Sequence, residues 1–153
     1  MTAIPLEAVV GGYPPVRPVD PATLAAAVAG GRTLVVLDDD PTGTQSIANL
    51  PVLTRWDVDD LRWALAQDTP AFFVLTNSRS LGEADAAALN RDVARNMTTA
   101  ADGADYVLAS RSDSTLRGHF PLETDVLGAE LAAAGAPVDG VVIVPAFIEP
   151  GRV

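Results

Sequence analysis

The feature that most restricts how this chain folds is an alternation repeated along it: a short unbroken apolar run, a polar segment, then a stretch with helical spacing. The runs are residues 33–37 (TLVVL), 71–75 (AFFVL), 105–109 (DYVLA) and 140–144 (GVVIV). They are too short for helices, and most are rich in β-branched or aromatic side chains. Unbroken apolarity predicts strands covered on both faces, as in parallel sheets, because a half-exposed strand would alternate. Residues 51–54 read as a further short strand. Helical spacing fills the intervals. Val58, Leu61 and Leu65 follow Asp57 as a candidate cap, and Ser80-Leu81-Gly82-Glu83 reads as a capping box ahead of Ala86, Leu89, Val93 and Met97. Pro121 opens a last helix with Leu122, Val126, Leu127 and Leu131 inward and Gly135 as its stop. Trp56, Trp63, Phe72 and Phe73 are candidate core residues. The expected architecture is α/β: three layers, with a mostly parallel sheet and helices on both faces. Residues 1–31, with Pro5, Pro14, Pro15 and Pro18, read as an irregular lead-in with one short helix that Asp20-Pro21 starts and Gly30-Gly31 ends. Residues 32–153 form the α/β domain.

Composition narrows the function. A chain of 153 residues that is 48% hydrophobic and has no Cys is neither disordered nor a disulfide scaffold. No apolar run approaches the ~20 residues that span a bilayer, and the N-terminus lacks the basic region of a secretory signal. A soluble cytoplasmic protein with no membrane partner is expected. Twenty acidic residues against ten basic ones give a net charge of −10, which repels nucleic acid. All ten basic residues are Arg, so the Gly-Lys-Ser/Thr phosphate loop cannot be written. His119 is the single histidine, which excludes a multi-histidine metal site, and no metal site is expected.

In open α/β sheets ligands bind beyond the carboxyl ends of the strands. Here the runs exit into Asp38-Asp39-Asp40-Pro41-Thr42-Gly43-Thr44-Gln45, into Thr76-Asn77-Ser78-Arg79, into residues 110–119 (SRSDSTLRGH) and into residues 145–152 (PAFIEPGR). Their convergence would gather carboxylates, hydroxyls and four of the ten Arg at one rim, suited to a small polar anion. Three consecutive Asp raise one another's pKa unless a metal or a hydroxyl-bearing ligand shares the site, although Asp-Pro-Thr-Gly is also a good turn. Arg111 and Arg117 are able to grip a carboxylate with two parallel hydrogen bonds, while Asp113, Ser114 and Thr115 suit sugar hydroxyls. Gly118 permits close backbone approach. His119 stands equally well as a general base or a structural donor, and Arg79 as a ligand contact or a solvated side chain.

Two resemblances emerge from these segments. Residues 34–42 (LVVLDDDPT) fit the Asp-x-Asp-x-Thr pattern of haloacid-dehalogenase-type Mg²⁺-dependent phosphatases, with Asp38 as nucleophile and Asp40 as acid/base. That family's third motif needs a cation, usually Lys, and no later strand here ends in its acidic pair. All the loops together resemble the N-terminal domain of the four-carbon acid sugar kinase family: residues 37–45 (LDDDPTGTQ), 76–81 (TNSRSL), 111–123 (RSDSTLRGHFPLE) and 145–152 (PAF…GR). The resemblance spans about residues 32–152. It implies a kinase that phosphorylates threonate, erythronate or an oxo derivative, with ATP and Mg²⁺ as cofactors of the intact enzyme. By the same resemblance Asp39 and Asp40 are catalytic, and Thr42, Gly43, Arg79, Arg111, Asp113, Ser114, Arg117 and His119 hold the sugar acid. Since the sequence stops at Val153 and carries no Gly-rich phosphate loop, it reads as part of the substrate domain without the nucleotide-binding domain. Such a chain is expected to bind no nucleotide tightly and to be inactive alone, with its cut sheet edge paired to a second copy. A non-catalytic small-ligand binding module is the remaining alternative.

Overall fold

The computed structural model describes residues 4–5, 7–8, 11–15, 17–29, 31–44, 48–113 and 117–144. The chain divides into two units, Met1–Gly31 and Arg32–Val153. In the first, helix α1 (Pro21–Val28) starts as its sequence dictates. Asp20 is the N-cap, its carboxylate accepting from the Thr23 backbone N–H at 3.0 Å, and Pro21 occupies the first turn, where its missing N–H costs nothing.

The second unit is built on four parallel strands, β1 (Thr33–Asp38), β2 (Val52–Leu53), β3 (Ala71–Leu75) and β4 (Tyr106–Arg111), in the order β2-β3-β1-β4. Its helices are α2 (Val58–Leu65), α3 (Glu83–Ala101) and α4 (Leu122–Ala133). The register sets Val35 beside Phe72 and Leu37 beside Val74. Those side chains share one core with Leu61 and Ala64 of α2, with Val93, Ala94 and Met97 of α3, and with Leu127 of α4. Val36 and Phe73 project to the opposite face and are buried as well. Burial on both faces is why these runs read as continuously apolar, and the α/β class with a parallel sheet, consistent with three layers, stands as read. No helix among the described residues is long and apolar enough to cross a membrane.

Several local expectations are corrected. Residues 140–144 form no strand and are exposed, Val142 at 88%; apolar, β-branched residues favour a strand only where a neighbour supplies the ladder of hydrogen bonds. The Ser80 capping box does not form. Gly82 is the N-cap of α3, while Ser80 closes a 3-10 turn (Ser78–Ser80) with its hydroxyl on the Asn77 carbonyl. Asp57 caps α2 by position only, its carboxylate being taken by Arg55. In α4 the buried positions are Glu123 and Leu127, with Leu122, Val126 and Leu131 half-buried. Gly135 does end that helix region, at φ 84°. Trp63 is exposed rather than core.

Phe72 is fully buried and Trp63 is 55% exposed, so equivalent truncations should differ sharply. Phe72→Ala is expected to cost about 3–5 kcal/mol in urea unfolding. Trp63→Ala should stay within about 1 kcal/mol, and equal losses would contradict the assigned core.

Candidate functional site

The carboxyl end of β1 is where apolar sequence turns abruptly acidic, and each of its three Asp has its own partners. Asp38, fully buried, accepts from Arg111 Nη1 at 3.0 Å and from the Asp40 backbone N–H at 3.2 Å. Its other oxygen, Oδ2, has no hydrogen-bond partner among the described residues, and burial pushes its carboxyl above the ordinary aspartate value, against the pull of the Asp40 N–H and Arg111. Gly43 lies directly over this carboxylate: a Cβ there would overlap Asp38 Oδ2 and Arg111 Nη1. Gly43 is required for that close approach and not for a left-handed turn, since its φ is not positive.

Asp39 and Asp40 are held by one guanidinium from the neighbouring strand. Beyond β3, the Thr76 backbone N–H and hydroxyl both donate to the Asp38 carbonyl at 2.9 Å, fastening the two strand ends. Asn77 then turns through the left-handed region (φ 51°) into the 3-10 turn that carries Arg79. Arg79 Nε and Nη2 donate to the two oxygens of Asp39 at 3.0 and 2.7 Å, and Nη1 donates to Asp40 Oδ2 at 2.6 Å. The Asp113 backbone N–H adds a bond to Asp39 at 3.2 Å, so Asp39, with its side chain 2% exposed, is fully engaged. Asp40 is the more open of the two. Its Oδ1 accepts from the Thr42 N–H and hydroxyl at 2.8 and 2.7 Å, and these bonds, aided by Arg79, hold its carboxyl below the usual aspartate range. Bonding to Asp39 in turn raises the Arg79 pKa. Three consecutive Asp pointed to a metal or a hydroxyl-bearing ligand sharing the site; here two Arg, backbone N–H groups and the Thr42 hydroxyl bond them at every oxygen but Asp38 Oδ2.

A buried polar layer supports the Arg79 turn from below. Glu123, in the first turn of α4 where the helix dipole favours an anion, accepts from Ser78 Oγ at 2.5 Å, Ser110 Oγ at 3.1 Å and Asn90 Nδ2 at 3.5 Å. His119 Nε2 lies 3.2 Å from the Ser78 carbonyl and 3.0 Å from that of Leu81, so it carries the proton and donates to this turn. The single His is therefore spent on backbone, in the structural role rather than as a general base. A Cβ at Gly118 would overlap the Asp113 backbone, so the close approach it permits is made by its own loop.

Asp39, Asp40, Arg79 and Arg117 meet in one cavity of about 510 Å³, with Asn77 and Ser80 on its wall. Arg117, its side chain 69% exposed, is tied to Asp113 by Nε at 2.7 Å. Arg111 is bonded to Asp38 and Thr42 to Asp40, but neither they nor Gly43, Asp113 and His119 are part of the lining. Ser114, Thr115, Gln45 and residues 145–152 lie outside the described residues. Asn77, Ser80 and Glu123 do not stand out as site residues in the sequence, although a Glu just behind a helix-opening Pro is a signal of a buried anion. Asp38, the nucleophile of the phosphatase pattern, is buried beneath Gly43, and no group of three or more His, Asp or Glu among the described residues is placed to hold a metal ion.

Gly43→Ala should be among the most damaging small substitutions here. A loss of about 1–3 kcal/mol is expected in urea unfolding, since the added methyl must displace either the buried carboxylate or its Arg partner. Wild-type stability in that variant would refute the packing of Gly43 on Asp38.

Residues 34–153 match the family model described as the sugar-binding N-terminal domain, which is found in four-carbon acid sugar kinases. No curated protein and no solved structure gives a match. The matched stretch covers all of the sheet but Thr33, the first residue of β1, and all the residues of the cavity. The chain belongs to the family of sugar-binding N-terminal domains.

Proposed function

We propose that this cavity holds a four-carbon sugar acid of the threonate or erythronate type as the acceptor for an ATP-dependent kinase. The observation that carries the reading is the pairing, in one cavity, of an exposed guanidinium, Arg117, with a carboxylate kept ionised, Asp40. The substrate carboxylate binds Arg117, exchanging with Asp113 for its donors. A substrate hydroxyl donates to Asp40, which accepts the hydrogen bond at neutral pH and draws on the proton as that oxygen becomes a nucleophile. Asn77 and Ser80 offer donors and acceptors for the remaining hydroxyls. Asp39 and Arg111 act indirectly, by fixing Arg79 and Asp38.

ATP supplies the phosphoryl group in such kinases. This chain does not fit it: the sequence has no Lys and no Gly-rich phosphate loop, and the described residues offer no carboxylate cluster for Mg²⁺. The chain is therefore assigned acceptor binding and orientation, without phosphoryl transfer of its own.

Calorimetry with threonate and with threitol, in which a CH2OH group replaces the carboxylate, tests this. Threonate should bind and threitol should bind at least about tenfold more weakly, the loss of one charge-assisted contact. Arg117→Ala should remove most of that preference, and Asp40→Asn should weaken both ligands. Equal affinity for the two ligands, or unchanged threonate binding in Arg117→Ala, would overturn the assignment.

A further inference from the structure

We infer that Asn77 sets the hydroxyl specificity of this cavity, its carboxamide donating to one particular hydroxyl of the sugar acid; the inference rests on the function proposed above. Asn77 is an N-cap unlike the others. Asp20, Asp57 and Gly82, which cap α1, α2 and α3, have extended backbone, whereas Asn77, at the cap position of the 3-10 turn, is left-handed with φ 51° and ψ 28°. Asn is among the best capping side chains, yet this one makes no capping bond. Among the described residues its carboxamide has no hydrogen-bond partner, and it stands on the cavity wall. The left-handed region is open chiefly to Gly, Asn and Asp. Asp102, also left-handed, ends α3, where that conformation closes a helix. At residue 77 a turn alone is made as readily by Gly, so the side chain has a use that the turn does not explain.

The backbone fixes where this side chain starts. The Asn77 N–H donates to the Asp38 carbonyl at 3.4 Å, and the Asn77 carbonyl accepts from the Ser80 N–H at 3.2 Å and the Ser80 hydroxyl at 2.9 Å. Both peptide groups beside its Cα are thus tied, one to the end of β1 and one within the turn. The commitments of the other polar groups then single out the amide. Arg79 is held by Asp39 and Asp40, and Asp40, an ionised carboxylate, only accepts. Arg117 takes the substrate carboxylate. The Ser80 hydroxyl has given its proton to the Asn77 carbonyl. A substrate hydroxyl that donates to Asp40 still has oxygen lone pairs to satisfy, and so do its neighbours. The Asn77 Nδ2 group is the neutral donor left on the wall for them. Being uncharged, it neither competes with Arg117 for the carboxylate nor repels it. A donor placed for a hydroxyl discriminates against an acid that lacks it, because the donor is then left unpaired.

Calorimetry on the full chain tests this with threonate and its three monodeoxy acids, 2,3-, 2,4- and 3,4-dihydroxybutanoate. Asn77→Gly keeps the left-handed backbone and removes the amide, and should bind threonate about fivefold more weakly, the loss of one hydrogen bond. For one of the three deoxy acids, the one missing the hydroxyl that Asn77 reads, parent and variant should bind alike. Asn77→Asp keeps the conformation and the size but has no donor. It should spare the same acid once the uniform loss from its negative charge is subtracted. Asn49→Gly, at a left-handed Asn that is exposed and outside the lining, should change no affinity. Unchanged threonate binding in Asn77→Gly, or an equal loss for all four acids, overturns the proposal and leaves the sugar-acid assignment standing. A parent chain that does not bind threonate overturns that assignment, and this inference with it.

Discussion

One guanidinium organises this end of the molecule. Arg79 reaches from the turn after β3 to Asp39 and Asp40 after β1, making three charge-assisted hydrogen bonds across the seam between two neighbouring strands. With a side chain 17% exposed against an Asp39 that is 2% exposed, the pair sits where desolvation is expensive. An arrangement like that persists only when every polar atom has a partner, and here the Asp113 N–H, the Thr42 hydroxyl and the Ser78–Glu123 bond supply the rest. Lys could not substitute, because a single ammonium lacks the planar fork that spans two carboxylates. A sequence whose basic residues are all Arg suits that buried pairing.

The same arrangement sorts three adjacent carboxylates into different tasks. Asp38 is buried and carries an unpartnered oxygen, so its charged form is disfavoured and Arg111 compensates from the neighbouring strand. Asp39 is saturated by donors and works as scaffold. Of the three, Asp40 alone combines partial exposure with donors that stabilise its anion, which leaves it able to receive a hydrogen bond from a bound molecule. Position relative to the last strand residue sets the difference: each step out from β1 is one step nearer the solvent.

Much of the framework was legible because it rests on local physics. Unbroken apolar runs at residues 33–37 and 71–75 pointed to parallel strands, since burial on both faces erases alternation. Asp20-Pro21 and Gly135 marked helix ends for conformational reasons that need no tertiary context. Residues 140–144 carried the same strand signal as the others, yet a strand also requires a partner edge, which sequence does not state. The Ser80 box failed because the backbone it would cap is drawn instead into the turn that aims Arg79. At the site, the gathering of Asp39, Asp40, Arg79 and Arg117 followed from the strand-end rule. Which Asp meets which Arg did not, because such pairings join residues up to 73 positions apart, as Asp38 and Arg111 are. His119 and Gly43 likewise show their purpose only through the atoms packed on them.

The central claim is that the Arg79–Asp39 pair holds the ends of β1 and β3 in the geometry of the cavity. A double-mutant cycle of Arg79→Met and Asp39→Asn, with urea unfolding as the readout, measures it most directly. A coupling above about 1.5 kcal/mol is expected for a buried, two-pronged pair. A coupling below about 0.5 kcal/mol, the level of a solvent-exposed ion pair, would contradict the account.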